Sequence, residues 1–130
     1  LFSYFKGEEW RTQALTHQLL QTYFKNTPEG LPGNDDTGTM SAWALFSMMG
    51  FYPDCPGEPA YTLTSPVFDK ITLHLDEKQW GRNKLVIETL RSNPNAVRIE
   101  KIEVGGKPWR QYRISHNDLV KAGTLKFTLK

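Results

Sequence analysis

Cysteine is nearly missing from this chain. Cys55 is the single one among 130 residues, so no disulfide inside the chain can staple the fold, and the redox compartment is left open. Runs of one charge are missing too. The net charge of +2 is not gathered into a stretch of Lys or Arg, which argues against nucleic acid as the main partner. No apolar stretch approaches the roughly 18 residues that a membrane span needs, and no signal-peptide pattern is present. An initiating methionine is also lacking, since the chain opens LFSYFKGEEW. What is there is ordinary for a globular protein, at 38% hydrophobic and 23% charged residues. The length predicts one domain, or a domain plus part of another, with a core that covers roughly two-thirds of the unfolded surface.

The densest information lies in residues 30–57, GLPGNDDTGTMSAWALFSMMGFYPDCPG. Asp35 and Asp36 stand in a turn bounded by Gly33 and Gly38, residues that admit backbone conformations others avoid. An apolar helix over 40–49 follows, with Thr37 or Thr39 to cap its start and Gly50 its end. Met40, Trp43, Leu45, Phe46, Met48 and Met49 surround that helix, which predicts burial on every side. Upstream, 8–25 reads as an amphipathic helix with Leu15, Leu19, Leu20, Tyr23 and Phe24 on its apolar stripe. Glu8 and Glu9 suit the positive end of that helix. Residues 1–7 read as the end of a preceding helix with Gly7 as its cap.

From Tyr61 the pattern changes to period two. Strands are expected over 60–64, 67–75, 84–90, 96–104, 108–114 and 124–130. Gly105-Gly106 marks a hairpin between two of them. Ser115 or Asn117 begins a short helix that Gly123 stops. Helices followed by a run of strands predict an α+β chain, divided near Pro56–Pro59 into residues 1–57 and 58–130.

Two adjacent carboxylates in a glycine-rich turn at a helix entrance have two readings. One is a base kept ionised by backbone N–H groups. The other is an Asx turn with an N-cap, positions that favour Asp and Asn anyway. From spacing alone both stand, with the turn and cap preferred.

The same stretch resembles the family 92 glycoside hydrolases, calcium-dependent exo-acting α-mannosidases. Gly30 to Trp43 follows the pattern G-L-P-G-N-[DE]-D-x-G-x-M-S-A-W. Gly50 to Gly57 follows G-F-Y-P-x-x-P-G, and Ser65-Pro66-Val67-Phe68 follows S-P-x-F. The likeness is strongest over 1–75 and looser beyond. It implies that the helices are the last of an (α/α)6 barrel and that the strands form an antiparallel sheet or sandwich beside it. It implies an inverting hydrolysis of terminal α-linked mannose, α-1,2-linked by expectation, with Asp36 as the base and Asp35 beside it. Asn34 and Trp10 are the implied substrate contacts. Calcium is the implied cofactor, with no ligand assigned in this chain. Family members are several times longer, so the chain is expected to be a fragment whose partner is the rest of the same polypeptide, including the general acid. Alone it is expected to be inactive and to self-associate. The expected compartment is periplasmic, cell-surface or secreted.

Other residues carry less. His17, His74 and His116 are scattered, and structural or surface roles are expected rather than a zinc site. Cys55 is expected to pack as a small residue. The aromatics Trp43, Phe46, Phe51 and Tyr52 are expected in the core. Lys107–Arg113, KPWRQYR, interleaves basic and aromatic residues, which in a single strand places Trp109, Gln111 and Arg113 on one face. An exposed strand is the simpler reading. The alternative makes the β-part a non-catalytic carbohydrate-binding or structural domain with Trp109 and Tyr112 as its platform.

Overall fold

Two helices lead the chain. A computed structural model describes residues 2–130. After a 3-10 turn at Phe2–Tyr4, helix α1 spans Glu9–Tyr23. Its expected apolar stripe faces the protein only at Leu20: Leu15, Leu19 and Tyr23 are exposed, whereas Gln13 and Thr16 are buried with Leu20. The reason lies in the β-part beneath it. The Gln13 Oε1 accepts the Ile99 N–H at 2.8 Å, and the His17 Nε2 meets the Ser65 carbonyl at 3.0 Å. Burial holds the His17 imidazole below its ordinary pKa, outweighing the Ser65 carbonyl, which favours the protonated form. Polar groups of α1 thus face the sheets beside Leu20, and Leu15 and Leu19 face outward.

Helix α2 spans Thr39–Met49 and ends, as expected, at a left-handed Gly50. At its start the N-cap position is Gly38, with no side-chain cap from either threonine. Only one side is covered. Ala44, Ser47 and Met49 are buried, whereas Leu45 is 59% exposed. The expectation of burial all round therefore fails within this chain.

The strands are β1 (Phe51–Tyr52), β2 (Ala60–Leu63), β3 (Lys70–His74), β4 (Lys84–Arg91), β5 (Ile99–Val104), β6 (Lys107–Trp109), β7 (Arg113–Ser115) and β8 (Thr124–Leu129). Short helices α3 (Glu77–Trp80) and α4 (His116–Ala122) interrupt them. The architecture is α+β, with a three-stranded sheet in the order β1-β2-β7 and a five-stranded sheet in the order β3-β4-β8-β5-β6. The pairs are antiparallel except β4 with β8, which run parallel. The long connection between those two strands, carrying β5 to β7 and α4, permits it. Gly105 and Gly106, at φ 58° and 76°, make the tight turn of the β5–β6 hairpin. The Ser115 Oγ accepts the Asp118 N–H at 3.0 Å and starts α4 as expected.

Residues 108–114 are not one strand. Trp109 lies opposite Ile102 in the large sheet, and Arg113 lies opposite Thr62 in the small one. Arg110–Tyr112 is the crossover, so the single face expected for Trp109, Gln111 and Arg113 does not exist.

The core joins both sheets. Leu125 and Phe127 of β8 and Ile87 of β4 are wholly buried, packed with Phe51, Leu63 and Ile114. Met49 carries the end of α2 into the same cluster. A clamp then fixes α2. The Val67 N–H donates to the Met48 carbonyl and the Thr64 N–H to the Gly50 carbonyl, each at 2.9 Å. Pro66 lies so close to Gly50 that a Cβ there would stand 2.6 Å from its Cγ. The Arg91 guanidinium, reaching from β4, donates to the Pro66 carbonyl at 2.7 Å, the Ala96 carbonyl at 3.2 Å and the Asp69 Oδ1 at 2.9 Å. The G-F-Y-P and S-P-x-F stretches are therefore two sides of one contact, and the opposite end of α2 presents the acidic turn.

Candidate active site

The acidic turn is built by three positive φ angles. Gly33 (114°), Thr37 (53°) and Gly38 (80°) bend the chain around Asn34, Asp35 and Asp36. For a β-branched residue such as Thr37 this region is strained, by roughly 1–3 kcal/mol. Hydrogen bonds hold it there. The hydroxyls of Thr37 and Thr39 both donate to the Asp36 carbonyl, at 2.7 and 2.8 Å. The Gly38 N–H donates to the Asp35 carbonyl at 2.9 Å.

The two carboxylates do different things. Asp35 accepts the Ser41 N–H at 2.9 Å on Oδ1 and the Ser41 hydroxyl on Oδ2. It thereby satisfies a free N–H of the first turn of α2 and places its charge at the positive helix end. The Ser41 hydroxyl, then the Ser41 N–H, hold its carboxyl below the usual carboxylate range. Asp36 lies next to it, exposed, and among the described residues no hydrogen bond or ion pair engages its carboxylate. Its backbone is fixed and its side chain faces solvent. Asn34 is likewise exposed. Ser41 was not foreseen as a partner; a hydroxyl six residues after Asp35, in a first helical turn, is the signal that finds it.

Trp10 sits in the first turn of α1, 42% exposed, with the Arg11 guanidinium 5.5 Å from its ring. No contact among the described residues ties it to the acidic turn. Glu8 is paired with Arg11 at 2.5 Å, and Glu9 accepts the Gly7 N–H at 2.9 Å. Both are engaged within their own helix start. Cys55 is exposed and free, not packed, because it lies in the open turn between β1 and β2.

Beside the turn runs an apolar groove of about 440 Å³, lined by Leu19, Tyr23, Phe24, Pro32, Met40 and Trp43. Phe24 and Trp43 stack at 5.6 Å within it. Trp43 is therefore a groove wall, packed on one side and open on the other.

Calcium takes six to eight oxygen ligands at about 2.3–2.6 Å. Among the described residues no three of His, Cys, Asp and Glu gather to hold an ion, and both Asp35 oxygens are engaged by Ser41. The side chains of this chain alone therefore supply fewer carboxylate ligands than such an ion takes.

Known proteins resemble this chain over nearly all of its length. The sequence model of the glycosyl hydrolase family 92 catalytic domain matches residues 1–130. A curated protein of Arthroderma benhamiae, described as an uncharacterized secreted glycosidase, is 28% identical over 127 residues, 97% of this chain and 16% of its own length. A family 92 α-mannosidase of Bacteroides thetaiotaomicron, solved with mannoimidazole, superposes with a TM-score of 0.87 at 27% identity, over 99% of this chain and 16% of that one. A family 92 inverting mannosidase of the same organism gives 0.81 at 33% identity, over 94% and 16%. The chain thus spans about 16% of the length of these relatives. The family model spans every residue described above, and the chain belongs to glycosyl hydrolase family 92.

Proposed function

We propose that this chain supplies the water-activating base of an exo-acting α-mannosidase, and that the base is Asp36. The observation that carries the reading is the division of labour in the turn. Asp35 is consumed in holding the turn to α2, while Asp36 is presented to solvent on a fixed backbone. In an inverting hydrolysis Asp36 takes a proton from water, whose oxygen attacks C1 of the terminal mannose. The bond from C1 to the leaving oxygen breaks, and a general acid protonates that oxygen. The two carboxyl groups must stand about 6.5–9.5 Å apart to admit the water. The acid belongs to polypeptide beyond this chain, as does most of any calcium site. Asn34 contacts the substrate beside Asp36, and Trp10 is a second, more remote candidate.

The same reading gives the outward leucines a partner. The rest of a barrel of paired helices covers the apolar groove and the exposed side of α2, where Leu45 is 59% exposed. The relatives' length supports this, since most of it lies outside the matched part. The substrate is a mannose-containing glycan, α-1,2-linked, met outside the cytoplasm. The test is hydrolysis of α-1,2-mannobiose by a polypeptide of the relatives' length that carries this chain. Proton NMR should show β-mannose as the first anomer released. Release of α-mannose first, or of no mannose, contradicts the proposal.

A further inference from the structure

The KPWRQYR stretch is left unused by the catalytic reading, and the fold gives it a definite shape. Trp109 ends the edge strand β6, and after three intervening residues the chain enters the other sheet. The Trp109 Nε1–H donates across this crossover to the Arg113 carbonyl at 3.1 Å. The Leu63 N–H donates to the Tyr112 carbonyl at 2.8 Å. Both aromatic residues are therefore anchored in place rather than free on a loop, and both are only partly buried. Between them and β5 lies a groove of about 330 Å³, within the roughly 300–1,000 Å³ of small-ligand sites.

The opposite bank of the groove is shaped by a β-bulge. The register of β5 on β8 passes from Ile99 opposite Leu129 to Lys101 opposite Thr128, leaving Glu100 as the extra residue. Bulges re-aim side chains, and here Glu100 and Lys101 are exposed in succession where strict alternation would bury one. Arg110 completes the rim. It is exposed and has no ion-pair partner among the described residues. Ile102 is the buried floor.

An aromatic wall beside a carboxylate, an ammonium and a guanidinium fits one ligand chemistry well: a neutral pyranose. Its C–H face packs on indole, and its hydroxyls both donate and accept. A peptide added to the edge fits poorly, because Pro108 in β6 offers no N–H to a new strand. We propose that this groove is a second, non-catalytic sugar site, with Trp109 as its platform and, as its polar contacts, Arg110 and the second oxygen of Glu100, whose Oε1 accepts from Lys130 at 3.1 Å. The choice of a mannosyl unit as the probe rests on the mannosidase reading; the site itself rests on the groove.

Methyl α-mannopyranoside titrated into the protein tests this, with the indole N–H signals of the tryptophans followed by NMR. The Trp109 signal should move, with half-saturation on the order of 1 mM. Arg110→Ala, which breaks no hydrogen bond or ion pair among the described residues, should weaken that response several-fold with the remaining spectrum unchanged. Trp109→Phe should retain the fold and weaken binding. Asp36→Asn should leave the Trp109 response intact, which separates this site from the catalytic one. No movement of the Trp109 signal with either methyl α-mannopyranoside or methyl α-glucopyranoside at 100-fold that concentration overturns the site. Movement with the glucoside alone upholds the site and counts against the mannosyl reading.

Discussion

Asp35 and Asp36 are chemically identical neighbours that the turn makes unequal. Ser41 gives Asp35 two hydrogen bonds that favour its ionised form and weaken on protonation. Its pKa is therefore depressed in the folded chain. A depressed carboxylate pKa adds stability above the unfolded value, about 3.9, which disappears as pH falls through the folded value. Ser41→Ala should move the Asp35 pKa back up toward the ordinary range, read by carboxyl NMR titration. An unmoved value would mean that Ser41 does not hold Asp35. The acidic pair at 35 and 36 was legible in the sequence because Gly33 and Gly38 bracket it. The unequal roles were not, since they depend on which carboxylate reaches Ser41 once Thr37 has turned left-handed.

At the scale of elements, the contact between Gly50 and Pro66 decides the pose of α2. A methyl at Gly50 meets Pro66 at 2.6 Å on a backbone at φ +89°. Gly50→Ala should destabilise the protein by about 1–3 kcal/mol or more, read from the urea midpoint. An unchanged midpoint contradicts the clamp. Most elements were legible from periodicity and turn chemistry. Gly105-Gly106, Ser115 and Gly123 marked their turns and cap because each acts through its nearest neighbours. Two features were not. The outward stripe of α1 depends on Gln13 reaching Ile99, 86 positions away, which no local period encodes. The break of 108–114 depends on two sheets competing for adjacent residues.

The whole molecule shows outward apolar residues on both helices, with Leu15 43% and Tyr23 54% exposed on α1 beside Leu45. Such surface is unusual for a monomer in water. The 130-residue chain alone should self-associate, and Leu19→Lys with Leu45→Lys should shift it toward monomer in sedimentation velocity. A monomeric parent chain contradicts that. The α+β order was readable from the change of period near Tyr61, whereas the parallel β4–β8 pair required the long connection to be traced. The most direct test of the account is turnover of α-1,2-mannobiose by a polypeptide of the relatives' length, with and without Asp36→Asn. The account predicts a loss of roughly 10²–10⁴-fold with the unfolding midpoint unchanged. Turnover undiminished by that substitution would contradict it.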